Sequence, residues 1–172
     1  RTKIGSPYVI EAMAAHPGRK VVGYEPNGGF LLGFEASNGT GRLSPLMTRD
    51  AVLPMVATLV AARGAGGMAA LIKALPMRRT ATDRLQNVPR DISLRLAEAL
   101  LGGETSILPV ELGSPVSTDT TDGARLTFAG DEIVTIRPSG NAPELRVYVE
   151  AESGRKARQI LDRILAAIRE RL

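Results

Sequence analysis

Cysteine is absent from the 172 residues, which excludes disulfides and thiolate chemistry, and the single histidine, His16, argues against a histidine-rich metal site. A metal bound here would need oxygen ligands, or ligands from residues outside this chain. No apolar run reaches the roughly 20 residues that cross a bilayer, and residues 1–7 lack an apolar targeting core, so no membrane association and a cytoplasmic location are expected. Aromatic residues make up only 3% of the chain, and Tyr8, Tyr24, Phe30, Phe34, Phe128 and Tyr148 do not interleave with the basic residues. No nucleic-acid partner is expected on that pattern. A glycine-rich nucleotide fingerprint and a nucleophile elbow are also missing.

What is present is ordinary for a globular chain, with 44% hydrophobic and 23% charged residues and length enough for one compact core or two small ones. The 18 glycines and 11 prolines imply many turns, without the period of a repeat protein. The net charge of +4 is unevenly divided: residues 1–86 hold 11 basic and 5 acidic side chains, residues 87–172 hold 11 and 13. A basic half suits a polyanion and equally a phosphorylated small molecule.

Residues 8–15 read as a short helix stopped by His16-Pro17-Gly18, and residues 21–24 and 30–34 as strands on either side of the loop Glu25-Pro26-Asn27-Gly28-Gly29. A loop over 35–45 precedes a helix over 49–62, an apolar run expected to be packed, with Thr48 or Asp50 as its cap. A second helix over 68–75 follows the glycines at 64, 66 and 67. Residues 77–87 read as a polar, basic linker containing at most a short strand, with a helix over 91–101 beyond it. Strands are expected at 123–128, 132–137 and 145–150, the first two joined by Ala129-Gly130-Asp131. From Gly154 to Leu172, apolar residues recur every three or four positions, the stripe of an amphipathic helix with Ser153 as N-cap and its arginines toward solvent. Asp119, Asp122, Asp131 and Glu132 lack the spacing of a calcium loop and read as a solvated rim.

Two loops carry chemistry. Arg137-Pro138-Ser139-Gly140-Asn141-Ala142-Pro143 assembles guanidinium, hydroxyl and amide donors with a glycine that permits close approach, and Arg146 follows on the next strand, a set suited to a phosphate dianion. The same residues also read as a punctuated hairpin with exposed polar side chains. In Gly23-Tyr24-Glu25-Pro26-Asn27-Gly28-Gly29, Glu25 accepts hydrogen bonds and Asn27 both donates and accepts, which suits a polyol such as a sugar. The alternative is a type I′ turn at Asn27-Gly28.

Together the two loops resemble those of the alpha-D-phosphohexomutase family, the phosphomannomutases and phosphoglucomutases. The family's sugar loop usually reads Gly-Glu-x-Ser-Gly-His, where this chain has Tyr24-Glu25-Pro26-Asn27-Gly28-Gly29. Its phosphate loop usually reads Arg-x-Ser-Gly-Thr-x-Pro before an arginine-containing strand, matched by residues 137–143 and Leu145-Arg146-Val147-Tyr148. Arg1-Thr2-Lys3-Ile4-Gly5, Arg49-Asp50 and Asp122-Gly123 stand in the family's order. Departures are Asn27 for serine, Gly29 for histidine, Asn141 for threonine and Ala142 where some branches carry an acid.

The resemblance implies an α/β plus α+β fold: the C-terminal part of the family's third α/β domain over residues 1–76, a linker over 77–87, and the fourth domain over 88–172, an antiparallel sheet flanked by helices. It implies a phosphomutase that interconverts hexose 6-phosphate and hexose 1-phosphate through a phosphoserine and a bisphosphorylated intermediate. Both the phosphoserine loop and the magnesium loop belong to the family's first two domains, so no catalytic or metal-binding residue is expected in this chain, and Mg2+ and a hexose bisphosphate activator are expected of the full-length enzyme. This chain is expected to bind substrate and to be inactive alone, with Glu25 and Asn27 on the sugar and Arg137, Ser139, Gly140, Asn141 and Arg146 on the phosphate. The partners implied are hexose phosphates, the N-terminal domains and, if an apolar face lacks cover, a second copy of the chain. A non-catalytic phosphosugar-binding regulatory homologue is the alternative.

Overall fold

A computed structural model describes every residue except Asn27. The chain divides into two compact units, Arg1–Leu75 and Pro76–Leu172.

In the first unit, helix α1 (Ser6–Ala14) starts with a proline in its first turn and is followed by strands β1 (Val22–Tyr24) and β2 (Phe30–Leu32). Strand β5 (Leu46–Asp50) pairs on the far side of β2, giving an antiparallel sheet in the order β1-β2-β5. The core here is small: Val9 and Met13 of α1 pack with Leu31. Gly23 makes that packing feasible, because a Cβ at this position would lie 2.7 Å from the Met13 sulfur and closer still to Val9.

Three expectations for this unit need correction. The 35–45 loop contains a small ribbon of β3 (Ala36–Ser37) and β4 (Arg42–Leu43), turned by Asn38, whose Oδ1 accepts from the backbone N–H of Gly41 at 2.9 Å. The helix expected from residue 49 begins later, as α2 (Val52–Gly64), because Arg49 and Asp50 finish β5; Asp50 still serves its start, accepting from the Leu53 N–H at 2.6 Å. Nor is α2 packed: Val52, Met55, Val56, Leu59 and Val60 are exposed and only Ala62 is buried. The following α3 (Met68–Lys73) likewise buries none of its residues.

The second unit is built on a five-stranded antiparallel sheet in the order β6-β10-β9-β8-β7, made of β6 (Arg79–Gln86), β7 (Ser117–Asp119), β8 (Ala124–Thr127), β9 (Ile133–Pro138) and β10 (Glu144–Ala151). The segment expected as a linker is therefore an edge strand, registered along its whole length against β10 from Gln86↔Glu144 to Arg79↔Ala151. Its alternation was hidden because only Ala81 and Leu85 point to the core, while Thr80, Thr82 and Arg84 occupy the other face.

Strand β10 alternates strictly, with Leu145, Val147, Val149 and Ala151 buried. Helices α4 (Arg90–Leu101) and α5 (Gly154–Arg169) cover this apolar face, and α5 contributes the predicted stripe of Ala157, Ile160, Leu161, Ile164, Leu165 and Ile168. Ser153 caps α5, accepting from the Lys156 N–H at 3.2 Å. Glu132, expected on a solvated rim, is instead buried in the β8–β9 turn and pairs with Lys156 Nζ at 2.5 Å, tying that turn to the first turn of α5. Among the described residues, no helix is long and apolar enough to cross a membrane.

Leu161→Ala should cost about 2–5 kcal/mol in chemical denaturation, whereas Leu59→Lys on α2 should stay within about 0.5 kcal/mol. Equal losses would contradict the burial pattern. A second expectation concerns pH. Burial pushes the Glu132 carboxyl up, but the Lys156 ammonium, Glu132's own backbone N–H and the charge of Arg78 outweigh it and hold it below the ordinary 4.5. A depressed carboxyl stabilises the fold above the unfolded pKa, and that contribution is lost as pH falls through the folded value. The stability gap between the parent chain and Glu132→Gln should be full at pH 7 and shrink toward about pH 3; a constant gap would exclude this role.

Candidate functional site

The loop after β1 is closed by its own backbone: Glu25 N–H donates to Gly29 O at 2.9 Å and Gly28 N–H to Glu25 O at 3.0 Å. Gly28 has a φ of +88°, a conformation that glycine adopts without strain. Tyr24 pairs with Phe30 across the loop, and the turn expected at Asn27-Gly28 falls on Asn27, outside the described residues. Glu25 is buried and accepts a hydrogen bond from Ser6 Oγ at 2.9 Å, so the first turn of α1 anchors its carboxylate. Ser6 was not singled out in the sequence, since nothing local links it to a residue 19 positions away. Asn27 lies outside the described residues.

The loop after β9 is organised around Arg137, which is only 7% exposed. Its Nε lies 3.4 Å from Asp122 Oδ2, its Nη1 donates to Pro138 O and its Nη2 to the Tyr148 hydroxyl, each at 3.3 Å, and its Cζ sits 5.7 Å from the Tyr148 ring centre. A buried guanidinium needs such partners to offset its lost hydration. Asp122, expected on a solvated rim, reaches it through Gly123, at φ +90°, where a Cβ would lie 2.5 Å from Ile136 O and 2.6 Å from Arg137 Cβ.

Ser139 is buried, and its N–H donates to Glu144 O at 2.8 Å while its Oγ accepts from the Asn141 N–H at 3.4 Å. Beyond it, Gly140 faces open space, with nothing within 4 Å of a Cβ built there. From outside the loop, Val88 N–H donates to Pro143 O at 3.0 Å and Arg90 Nη1 to Ser139 O at 3.3 Å, so the start of α4 braces the loop.

Arg146 stands directly opposite Arg137 in the β10–β9 register. Its Nη2 bonds Glu144 Oε2 at 3.3 Å, while its Nε is buried without a hydrogen-bond partner, as is the Nε of Arg137 apart from its ion pair. Hydrogen bonding with Tyr148 holds the Arg146 guanidinium above its usual pKa, against burial, with Glu144 adding to the effect. Across β10, Arg146 also faces Arg84 of β6, whose Nη1 is 3.5 Å from Glu144 Oε1. The structure thus brings together Arg137, Ser139, Asn141 and Arg146 in and beside one loop, and adds Arg84, Arg90, Asp122, Glu144 and Tyr148. Reading 77–87 as a linker concealed Arg84, and the fold alone brings Arg90 beside Ser139.

Facing guanidinium groups beside an open glycine can take up a compact, multiply charged oxyanion. Among the described residues, no three His, Cys, Asp or Glu side chains converge as metal ligands.

Comparison with known proteins finds similarity to one family. Residues 112–167 match the family described as "Phosphoglucomutase/phosphomannomutase, C-terminal domain". The chain is 40% identical to a phosphomannomutase of Sinorhizobium fredii over 98% of its length, and 39% identical to one of Salmonella muenchen over 100%, covering 37% of each. A phosphoglucosamine mutase of Frankia alni is 31% identical, with 31% of it covered. The chain therefore spans about a third of the length of the curated relatives it matches. A solved phosphoglucomutase/phosphomannomutase family protein from Burkholderia thailandensis shares the fold, with a TM-score of 0.65 and 18% identity over 98% of this chain and 32% of that one.

Gly123→Ala should destabilise the second unit by about 1–3 kcal/mol through the clash with Ile136 and Arg137. A loss under about 0.5 kcal/mol by urea denaturation would show that Gly123 is not what sets the approach of Asp122 to Arg137.

Proposed function

Because the chain belongs, as a C-terminal part, to the phosphoglucomutase/phosphomannomutase family, we propose that it supplies the substrate-holding loops of a hexose phosphate mutase. In this reading Arg137, Ser139, Gly140, Asn141 and Arg146 hold the phosphate group that is not being transferred, and Glu25 and Asn27 hold sugar hydroxyls. The observation that carries it is the pair of facing arginines, Arg137 and Arg146, beside the open Gly140.

The reaction proposed is interconversion of hexose 6-phosphate and hexose 1-phosphate through a phosphoserine and a bisphosphorylated intermediate. The phosphoserine, Mg2+ and its ligands would come from polypeptide outside these residues, and Mg2+ would offset charge on the transferring phosphoryl group. This chain's own residues bind and orient. The guanidinium groups neutralise the phosphate dianion, Ser139 and Asn141 complete its hydrogen bonding, and the buried Glu25, steadied by Ser6, presents a carboxylate that accepts from hydroxyls. Identities of 40% and 39% to phosphomannomutases, against 31% to a phosphoglucosamine mutase, favour mannose phosphate over an amino sugar phosphate.

The chain alone should bind mannose 1-phosphate without turning it over, and Arg137→Ala should weaken that binding about 10- to 100-fold. A polypeptide of the relatives' length carrying these residues should isomerise mannose 1-phosphate with Mg2+ and a hexose bisphosphate, at a rate that drops with the same substitution. Binding that depends on Arg137, without turnover in the longer protein, would move the assignment to a phosphosugar-binding regulatory homologue.

A further inference from the structure

The cationic row extends past the residues assigned above. On the sheet face opposite the core, Arg137, Arg146 and Arg84 are successive cross-strand neighbours on β9, β10 and β6. Directly opposite residues on adjacent strands lie within about 5.5 Å, so three like charges in line repel unless something separates them. Two carboxylates do so. Asp122 faces Arg137 from outside the row, and Glu144 sits between the other two, with Oε2 on Arg146 and Oε1 on Arg84. Glu144 is 11% exposed and its two oxygens are divided between two partners.

That division matters for any anion at the loop. Resting on the phosphate reading of the loop, a phosphate at Ser139–Asn141 competes with Glu144 for Arg146 and is repelled by its charge. We propose that Arg84 is a positioning residue of this site: it holds the Glu144 carboxylate toward β6, leaving Arg146 able to turn to the phosphate. Without Arg84, both oxygens of a nearly buried carboxylate have Arg146 as their remaining cation, and Arg146 is drawn away from the ligand. Arg84 acts through Glu144 and does not touch the phosphate.

The test is titration of the 15N-labelled chain with inorganic phosphate, following the amide resonances of Ser139, Gly140 and Asn141. Arg84→Ala should weaken phosphate binding about two- to fivefold, the scale of a partly exposed charge pair, and Arg84→Lys should restore most of the loss. Glu144→Gln should tighten binding, and in that background Arg84→Ala should have no further effect. A loss from Arg84→Ala that is the same with and without Glu144 would make Arg84 a direct ligand and overturn the proposal, as would no loss at all. Phosphate that fails to shift these amides in the parent chain, or shifts them equally in Arg137→Ala, would overturn the phosphate reading itself, and the role of Arg84 with it.

Discussion

Burying a guanidinium is costly, and the second unit is arranged around making that cost bearable for Arg137. Its Nε needs a carboxylate, so Asp122 must come within 3.4 Å, and this requires the chain to pass Arg137 with no side chain at Gly123. Its Nη2 reaches Tyr148, which lies on β10 and so ties the β9–β10 pairing to the same charge. The strand end, the glycine turn and the aromatic hydroxyl are thus satisfied together or not at all. What they produce is a fixed guanidinium with capacity to spare, the condition under which binding an anion requires little reorganisation.

The two units solve the packing problem differently. In Pro76–Leu172 a polar face and an apolar face are cleanly separated, because the period of two on β10 and the stripe on α5 agree on which side is inside. In Arg1–Leu75 the buried cluster is three residues with Ile10 beside them, and the apolar side chains of α2 lie outside it. The first unit still holds Glu25 firmly, through α1 resting against Gly23, Ser6 in the helix's first turn and the loop's own backbone bonds with Gly28 and Gly29.

The sequence made legible whatever rests on local chemistry or strong periodicity. The α5 stripe, its Ser153 cap, the hairpin at residues 129–131 and the Arg137–Pro143 donors could all be read directly. Features created by pairing distant segments were not legible. Strand β6 shows only Ala81 and Leu85 to the core, and its arginines mimic a solvated connector until β10 supplies the register. Asp122 and Glu132 looked alike as turn acids, yet one meets a buried arginine and the other a helix lysine, a difference that exists only in three dimensions. The apolar run in α2 predicted its helix but not its exposure, because burial depends on what lies opposite.

Strand β6 opens the second unit and pairs with β10, which lies near the unit's other end. Their union closes a loop of roughly 60 residues, and such long-range closure is entropically expensive and characteristically slow. The hairpin of β9 and β10, by contrast, closes over a short connection. Arg137 and Arg146 are brought side by side by local pairing, while Arg84 and the shared hold on Glu144 arrive only when the first strand docks on the last. In kinetic terms the row is assembled in stages, and its complete charge pattern is a signature of the fully assembled sheet.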